Sequence, residues 1–249
     1  MGLDVVVAEV DTDLLGTFSG EIPRPGNPLE TARRKAQWAI DDRGTRIGLA
    51  SEGSFGPHPD VPYVAIGVEL AICLDDLDGL EIVERVIGTD TNFQHLEVVQ
   101  LPLPPTFLES TRFPSHALVV SPLGETTPMF KGLVDLEEVD HAIACCLDRT
   151  GRALVQTDMR AHLNPTRQRA LSELAERLAR RVATLCPACT SPGWGVVAVE
   201  TGLPCERCAQ PTPLVAYDVS GCARAGCDER TRDPRVEVAP AGQCPACNP

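Results

Sequence analysis

Cys186-Pro187-Ala188-Cys189 is the first of four cysteine pairs that close the chain. Cys205-Glu206-Arg207-Cys208, Cys222-Ala223-Arg224-Ala225-Gly226-Cys227 and Cys244-Pro245-Ala246-Cys247 follow it, so eight of the 11 cysteines lie beyond residue 185. Two cysteines separated by two residues can turn back on one metal ion, and two such pairs complete a tetrahedral four-thiolate site. The spacing therefore predicts two structural zinc ions held by Cys186, Cys189, Cys205, Cys208, Cys222, Cys227, Cys244 and Cys247. A segment this poor in apolar residues needs such help, since structural zinc contributes about 10–16 kcal/mol in small metal-dependent domains.

Other readings of the pairs fit less well. Residues 1 to 20 hold no basic start followed by a long apolar run, which argues against export and a disulfide framework. The spacings do not follow the ferredoxin runs. Three pairing orders satisfy the ligand count. Segment 205 to 227 reads as a ribbon by itself, with a β-prone stretch from Leu214 to Val219 between its knuckles, so a nested order is expected. A sequential order is the second choice and an interleaved one the third.

With 249 residues and a hydrophobic fraction of 43%, the chain has room for one medium domain and one small one. The fold expected is an α/β (or α+β) mixed-sheet domain over residues 1–185, followed by a double zinc-ribbon module over 186–249. The formal net charge of −13 opposes binding to nucleic acid or anionic lipid. No apolar run approaches the roughly 20 residues that a membrane helix needs. Free cysteines at 73, 145 and 146 point to a reducing, cytoplasmic setting.

Within the first domain, residues 4–10 read as a strand. Asn27, Pro28 and Glu30 mark a helix start. Residues 46–50 read as a short strand, 63–74 and 80–86 as an antiparallel ribbon, and 116–120 as a further strand. Asp135–Leu147 and Pro165–Leu185 are expected helices, with 153–163 extended between them.

Two constellations could carry chemistry. If residues 157–163 are extended, Asp158, Arg160 and His162 share a face. Asn164 then caps a helix with Arg167 in its first turn, where a cation is favoured only beside an anion. Together these describe an anion pocket. The second is Gly48-Leu49-Ala50-Ser51-Glu52-Gly53-Ser54-Phe55-Gly56, an apolar strand ending in a carboxylate and glycine. Such a carboxylate can hold Mg²⁺. His58, His95, His116 and His141 lack ligand spacing, and Cys145-Cys146 lies on a helical apolar pattern.

Long motifs across the chain resemble the bacterial family called domain of unknown function 6671. They are Asp11-Thr12-Asp13 with Gly16 to Ile22, Ala50 to Pro59, Thr157 to His162 with Asn164 to Arg167, and the closing Cys244-x2-Cys247-Asn248-Pro249. That resemblance brings no activity with it. It implies that this chain has a shortened start, since members often open with a further strand–helix unit. A local resemblance covers Glu30-Thr31-Ala32-Arg33-Arg34-Lys35-Ala36 and Ser51-Glu52-Gly53. It is to nucleoside triphosphate pyrophosphatases of the inosine/xanthosine type, although Thr31 stands where their pattern has Asn. It implies a magnesium-assisted hydrolase of a nucleotide or other phosphate compound. Glu52 would hold Mg²⁺, Glu30 would assist or orient water, His162 would be donor or proton shuttle, and Asp158 is a further catalytic candidate. Lys35, Arg160 and Arg167 would bind the phosphate. The competing expectation is a non-enzymatic zinc-ribbon module for a protein partner. The two differ in whether Glu52, Lys35 and Arg160 converge on one pocket.

Overall fold

Asn27 begins the first helix as its sequence requires. In the computed structural model, which describes residues 4–17, 21–125 and 129–248, its side chain accepts from the Glu30 N–H while Glu30 reaches back to the Asn27 N–H. Pro28 at the first position needs no donor. The helix, α1, runs Pro28–Arg43 and ends at Gly44 in the left-handed region. Ala32, Ala36 and Ile40 are its buried stripe. Strand β1 (Ile47–Pro57) packs beneath them. A β-carbon at Gly48 would stand 2.2 Å from the Ala36 carbonyl, so only glycine allows this approach.

β1 forms a three-stranded sheet with β2 (Ala65–Asp75) and β3 (Leu80–Gly88), in the order β1-β2-β3. A second sheet has the order β4-β7-β5-β6, from β4 (His95–Val98), β5 (Leu118–Pro122), β6 (Phe130–Leu133) and β7 (Ala153–Thr157), all antiparallel. The short helix α2 (Pro105–Ser110) precedes β5, and α3 (Leu136–Thr150) covers the sheet. Val139, Ala142, Ile143 and Cys146 of α3 meet Leu118, Val120, Ala153 and Val155 in one core. Helix α4 spans Pro165–Ala183. The last sheet has the order β10-β9-β8, from β8 (Gly195–Thr201), β9 (Val215–Gly221) and β10 (Arg230–Pro234).

The architecture is thus mixed α/β, with three sheets and four α-helices among the described residues. Contacts divide it into two compact units. One holds Val6–Ile72 and Val83–Arg177. The other holds the segment from Leu178 onward together with Cys73–Ile82.

Three expectations about elements need correcting. Residues 4–10 form no strand. Val7 is 83% exposed, and its carbonyl accepts from the Arg43 guanidinium rather than from a neighbouring strand. The strand expected at 46–50 continues through Glu52 to Pro57, so Glu52 sits within a strand and not at its end. The extended run expected over 153–163 stops at Thr157. There the Asp158 carboxylate captures the N–H of Arg160 and a turn begins.

Candidate metal centres

The C-terminal sheet decides which cysteines meet. β8 and β9 are antiparallel, with Gly195 opposite Gly221 and Thr201 opposite Val215. Cys186 and Cys189 precede β8, while Cys222 and Cys227 follow β9, so all four arrive at the same end. Cys205 and Cys208 follow β8 at the other end. β10 returns along β9 from Arg230 opposite Gly221 to Pro234 opposite Tyr217. The chain then bridges Ala239 to Cys205 and delivers Cys244 and Cys247 to that same end.

Two four-cysteine clusters result, Cys186/Cys189/Cys222/Cys227 and Cys205/Cys208/Cys244/Cys247, with the sulfurs of each set within 4.8 Å of one another. The first pair therefore joins the third and the second joins the fourth. This interleaved order corrects the nested order expected from sequence, and excludes the sequential one. The ribbon reading treated 205 to 227 as a closed unit. It overlooked that an antiparallel hairpin sends a knuckle before its first strand to meet one after its second.

Each knuckle is shaped to present sulfur. The Thr190 N–H donates to the Cys186 carbonyl and the Ala209 N–H to the Cys205 carbonyl, both at 2.9 Å. Thr190 and Ala209, each just after a second cysteine, hold positive φ of 59° and 56° to close those turns. The N–H groups of Arg207 and Arg224 point at the sulfurs of Cys205 and Cys222, each at 3.4 Å. Hydrogen bonds from Ser191 pull the Cys189 thiol down to about 6. The backbone N–H groups of Cys208 and Arg207 pull Cys205 down to about 7. Burial pushes Cys222 up to about 12, so a metal must displace its proton. The third knuckle is also held from outside, since Leu80 bridges Arg224 and the Ala225 N–H donates to the Gly79 carbonyl. Four thiolates at this separation, with N–H groups turned toward sulfur, fit a closed tetrahedral metal site.

The other candidate residues form ion pairs among themselves. Glu52 is buried, with Arg24 at 3.1 Å on one oxygen and Lys35 on the other. The two residues expected to meet, Glu52 and Lys35, thus do meet, and Arg24 joins them unforeseen. Glu30 serves in the capping box of α1. Asp158 is buried under Arg160, which approaches it at 2.6 Å, and also accepts from the Gly132 N–H. His162 lies exposed on a short 3-10 turn, Ala161–Leu163.

Arg167 is buried against Glu69, with both carboxylate oxygens engaged at 2.6 and 3.0 Å. It also donates to the Met159 carbonyl and stacks 5.1 Å over Phe55. Burial raises the Glu69 pKa, and the hydrogen bonds from Arg167 oppose that rise. A β-carbon at Gly53 would collide with this pair, standing 2.7 Å from Arg167 Nη2 and 2.8 Å from Glu69 Oε2.

The anion pocket expected at Arg160, His162 and Arg167 is therefore not formed by these groups. Each arginine has a carboxylate of its own, and the helix start is filled from within the chain. The Arg167 N–H donates to Asn164 Oδ1 and the Thr166 N–H to His116 Nε2. Glu69 was missed in the sequence. Its signal was a lone carboxylate in the apolar run Val68-Glu69-Leu70-Ala71-Ile72, a place that demands a buried cation.

No helix of the described residues is long and apolar enough to cross a membrane. No curated protein and no solved structure matches the chain. The model of one family, described as Domain of unknown function (DUF6671), matches residues 35–249. A match over that much of the chain makes the protein a member of the DUF6671 family.

Proposed function

We propose that the chain is a zinc-braced binding module, in which two structural zinc ions fix the β8–β9–β10 sheet and the free edge of β8 takes an extended segment of a partner protein. Zinc is favoured over other metals because each site supplies four thiolates and nothing else, the donor set of closed structural zinc.

The observation that carries the reading is the contrast between the two sheet edges. β10 reads Arg230-Thr231-Arg232-Asp233-Pro234, and charge and proline of this kind block strand addition. β8 reads Gly195-Val196-Val197-Ala198-Val199-Glu200-Thr201, with Val196, Val197 and Val199 between 43% and 48% exposed. An apolar edge with no guarding lysine or proline is suited to strand addition, where main-chain hydrogen bonds give affinity and alternate side chains give specificity. The hydrolase reading has less support, because Glu52, Asp158 and Arg167 are each neutralised by a neighbour within the chain.

The test pairs capture with activity. A photo-crosslinking residue in place of Val197 should capture one protein from the native host. Val199→Lys should abolish that capture while both metal ions are retained. Release of phosphate or pyrophosphate from a nucleotide with Mg²⁺, lost in Glu52→Gln, would overturn the reading in favour of hydrolysis.

A further inference from the structure

A cleft of about 350 Å³ lies against the first half of α4. Its lining contains neither Glu52 nor the cysteines. β3 supplies one apolar wall with Val86 and Ile87, and Phe55 of β1 supplies more. Ile87 is 61% exposed despite its size. An apolar wall with a few convergent polar groups is the usual form of a small-molecule site, and this volume lies at the small end of that range.

The charge around the cleft is unevenly matched. Three carboxylates line it, and each has an arginine of its own. Glu69 is held by Arg167, Glu173 by Arg177 at 2.5 Å, and Asp90 by Arg112 at 2.5 Å. Arg169 is the fourth guanidinium. Its ion pair is a share of the already engaged Asp90, at 3.5 Å, and it lies 3.3 Å from the Thr166 hydroxyl. Arg112 and Arg169 both act to hold the Asp90 carboxyl below its ordinary range, Arg112 the more strongly. The lining balances Arg167, Arg169 and Arg177 against Glu69, Asp90 and Glu173. With Arg112, which reaches Asp90 from outside the lining, the group carries one positive charge in excess beside an apolar wall, in a chain of formal charge −13.

We infer that the cleft binds a small monocarboxylate with an apolar body, the carboxylate on Arg169 and the body against Val86 and Ile87. A guanidinium presents two parallel N–H groups that match a carboxylate. A phosphate monoester would bring up to two negative charges against one surplus positive, which disfavours it among the nearby carboxylates.

The experiment is a titration of amide signals in the full zinc-loaded chain with three probes. Hexanoate has the charge and the body, hexylammonium has the body with opposite charge, and inorganic phosphate has an anion without the body. Hexanoate is expected to shift Gly88, Thr91 and Ala170 with a dissociation constant on the order of 1 mM. The other two probes should leave these signals in place. Arg169→Gln, at an exposed position, should weaken hexanoate by about tenfold or more. Ile87→Glu should abolish its binding, and both variants should keep the remaining spectrum. The inference is overturned by equal shifts from hexylammonium, by shifts from phosphate alone, by no shift from hexanoate up to about 20 mM, or by hexanoate binding unchanged in Arg169→Gln.

Discussion

Gly195 and Gly221 face each other across β8 and β9, and this single register determines which cysteines share a metal. A knuckle just before Gly195 and a knuckle just after Gly221 must emerge side by side. The two remaining knuckles are carried to the opposite end. A metal ion at each end would tie together segments that the hairpin alone would leave to fray, and each tie would close a loop of some 40 residues, Cys186 to Cys227 and Cys205 to Cys247. Loops of that length cost several kcal/mol of chain entropy to close, which metal binding supplies.

The first prediction concerns metal count. Cys186→Ser and Cys222→Ser should each reduce bound zinc from two ions to one, as read by native mass spectrometry. Combining them should remove no further ion, since both belong to one site. Cys186→Ser with Cys244→Ser should remove both. A nested arrangement would show the reverse, with the 186/244 combination still holding one ion.

The second concerns Glu69 and Arg167, whose buried side chains meet at 2.6 Å. Removing one partner leaves the other charge buried without compensation. Glu69→Gln should therefore cost about 3–5 kcal/mol in urea denaturation. The double variant Glu69→Met with Arg167→Met should recover much of that loss, because a well-packed apolar pair avoids the desolvation penalty. Equal losses in single and double variants would show that packing, not charge, dominates at this site.

The third concerns pH. Burial, and then the positive charge of Arg112, hold His116 below its ordinary 6.5. The unfolded chain therefore takes up this proton at a higher pH than the folded one. Stability contributed by neutral His116 is present above 6.5 and is lost as pH falls toward the depressed folded value. The slope for one such group reaches at most about 1.4 kcal/mol per pH unit. Denaturation midpoints measured from pH 7 to pH 5 should decline in the native protein. His116→Gln should remove that decline while lowering stability at pH 7, since the ring bonds both Thr166 and Ser115.

Much of this was legible in the sequence where the signal is local. The Asn27–Glu30 cap, the helix expected from Asp135 and the cysteine spacings each depend on residues a few positions apart, and each formed close to where it was read. What was not legible depends on distant partners. Glu52 looked like an open metal ligand because Arg24, which covers one of its oxygens, is not its sequence neighbour. Arg167 looked like an anion ligand because its carboxylate partner lies 98 residues away. β4, α2 and β6 were missed because each is four to six residues long, too short for periodicity to show. The metal pairing required knowing the β8–β9 register, which the spacings within the four knuckles do not encode.

The most direct test of the cross-braced arrangement is a through-bond correlation spectrum of the protein loaded with ¹¹³Cd in place of zinc. Each cadmium couples to the β-protons of the cysteines that bind it. The account predicts two cadmium signals, one correlated with Cys186, Cys189, Cys222 and Cys227 and the other with Cys205, Cys208, Cys244 and Cys247. A cadmium correlated with both Cys186 and Cys244, or with both Cys186 and Cys205, would contradict it.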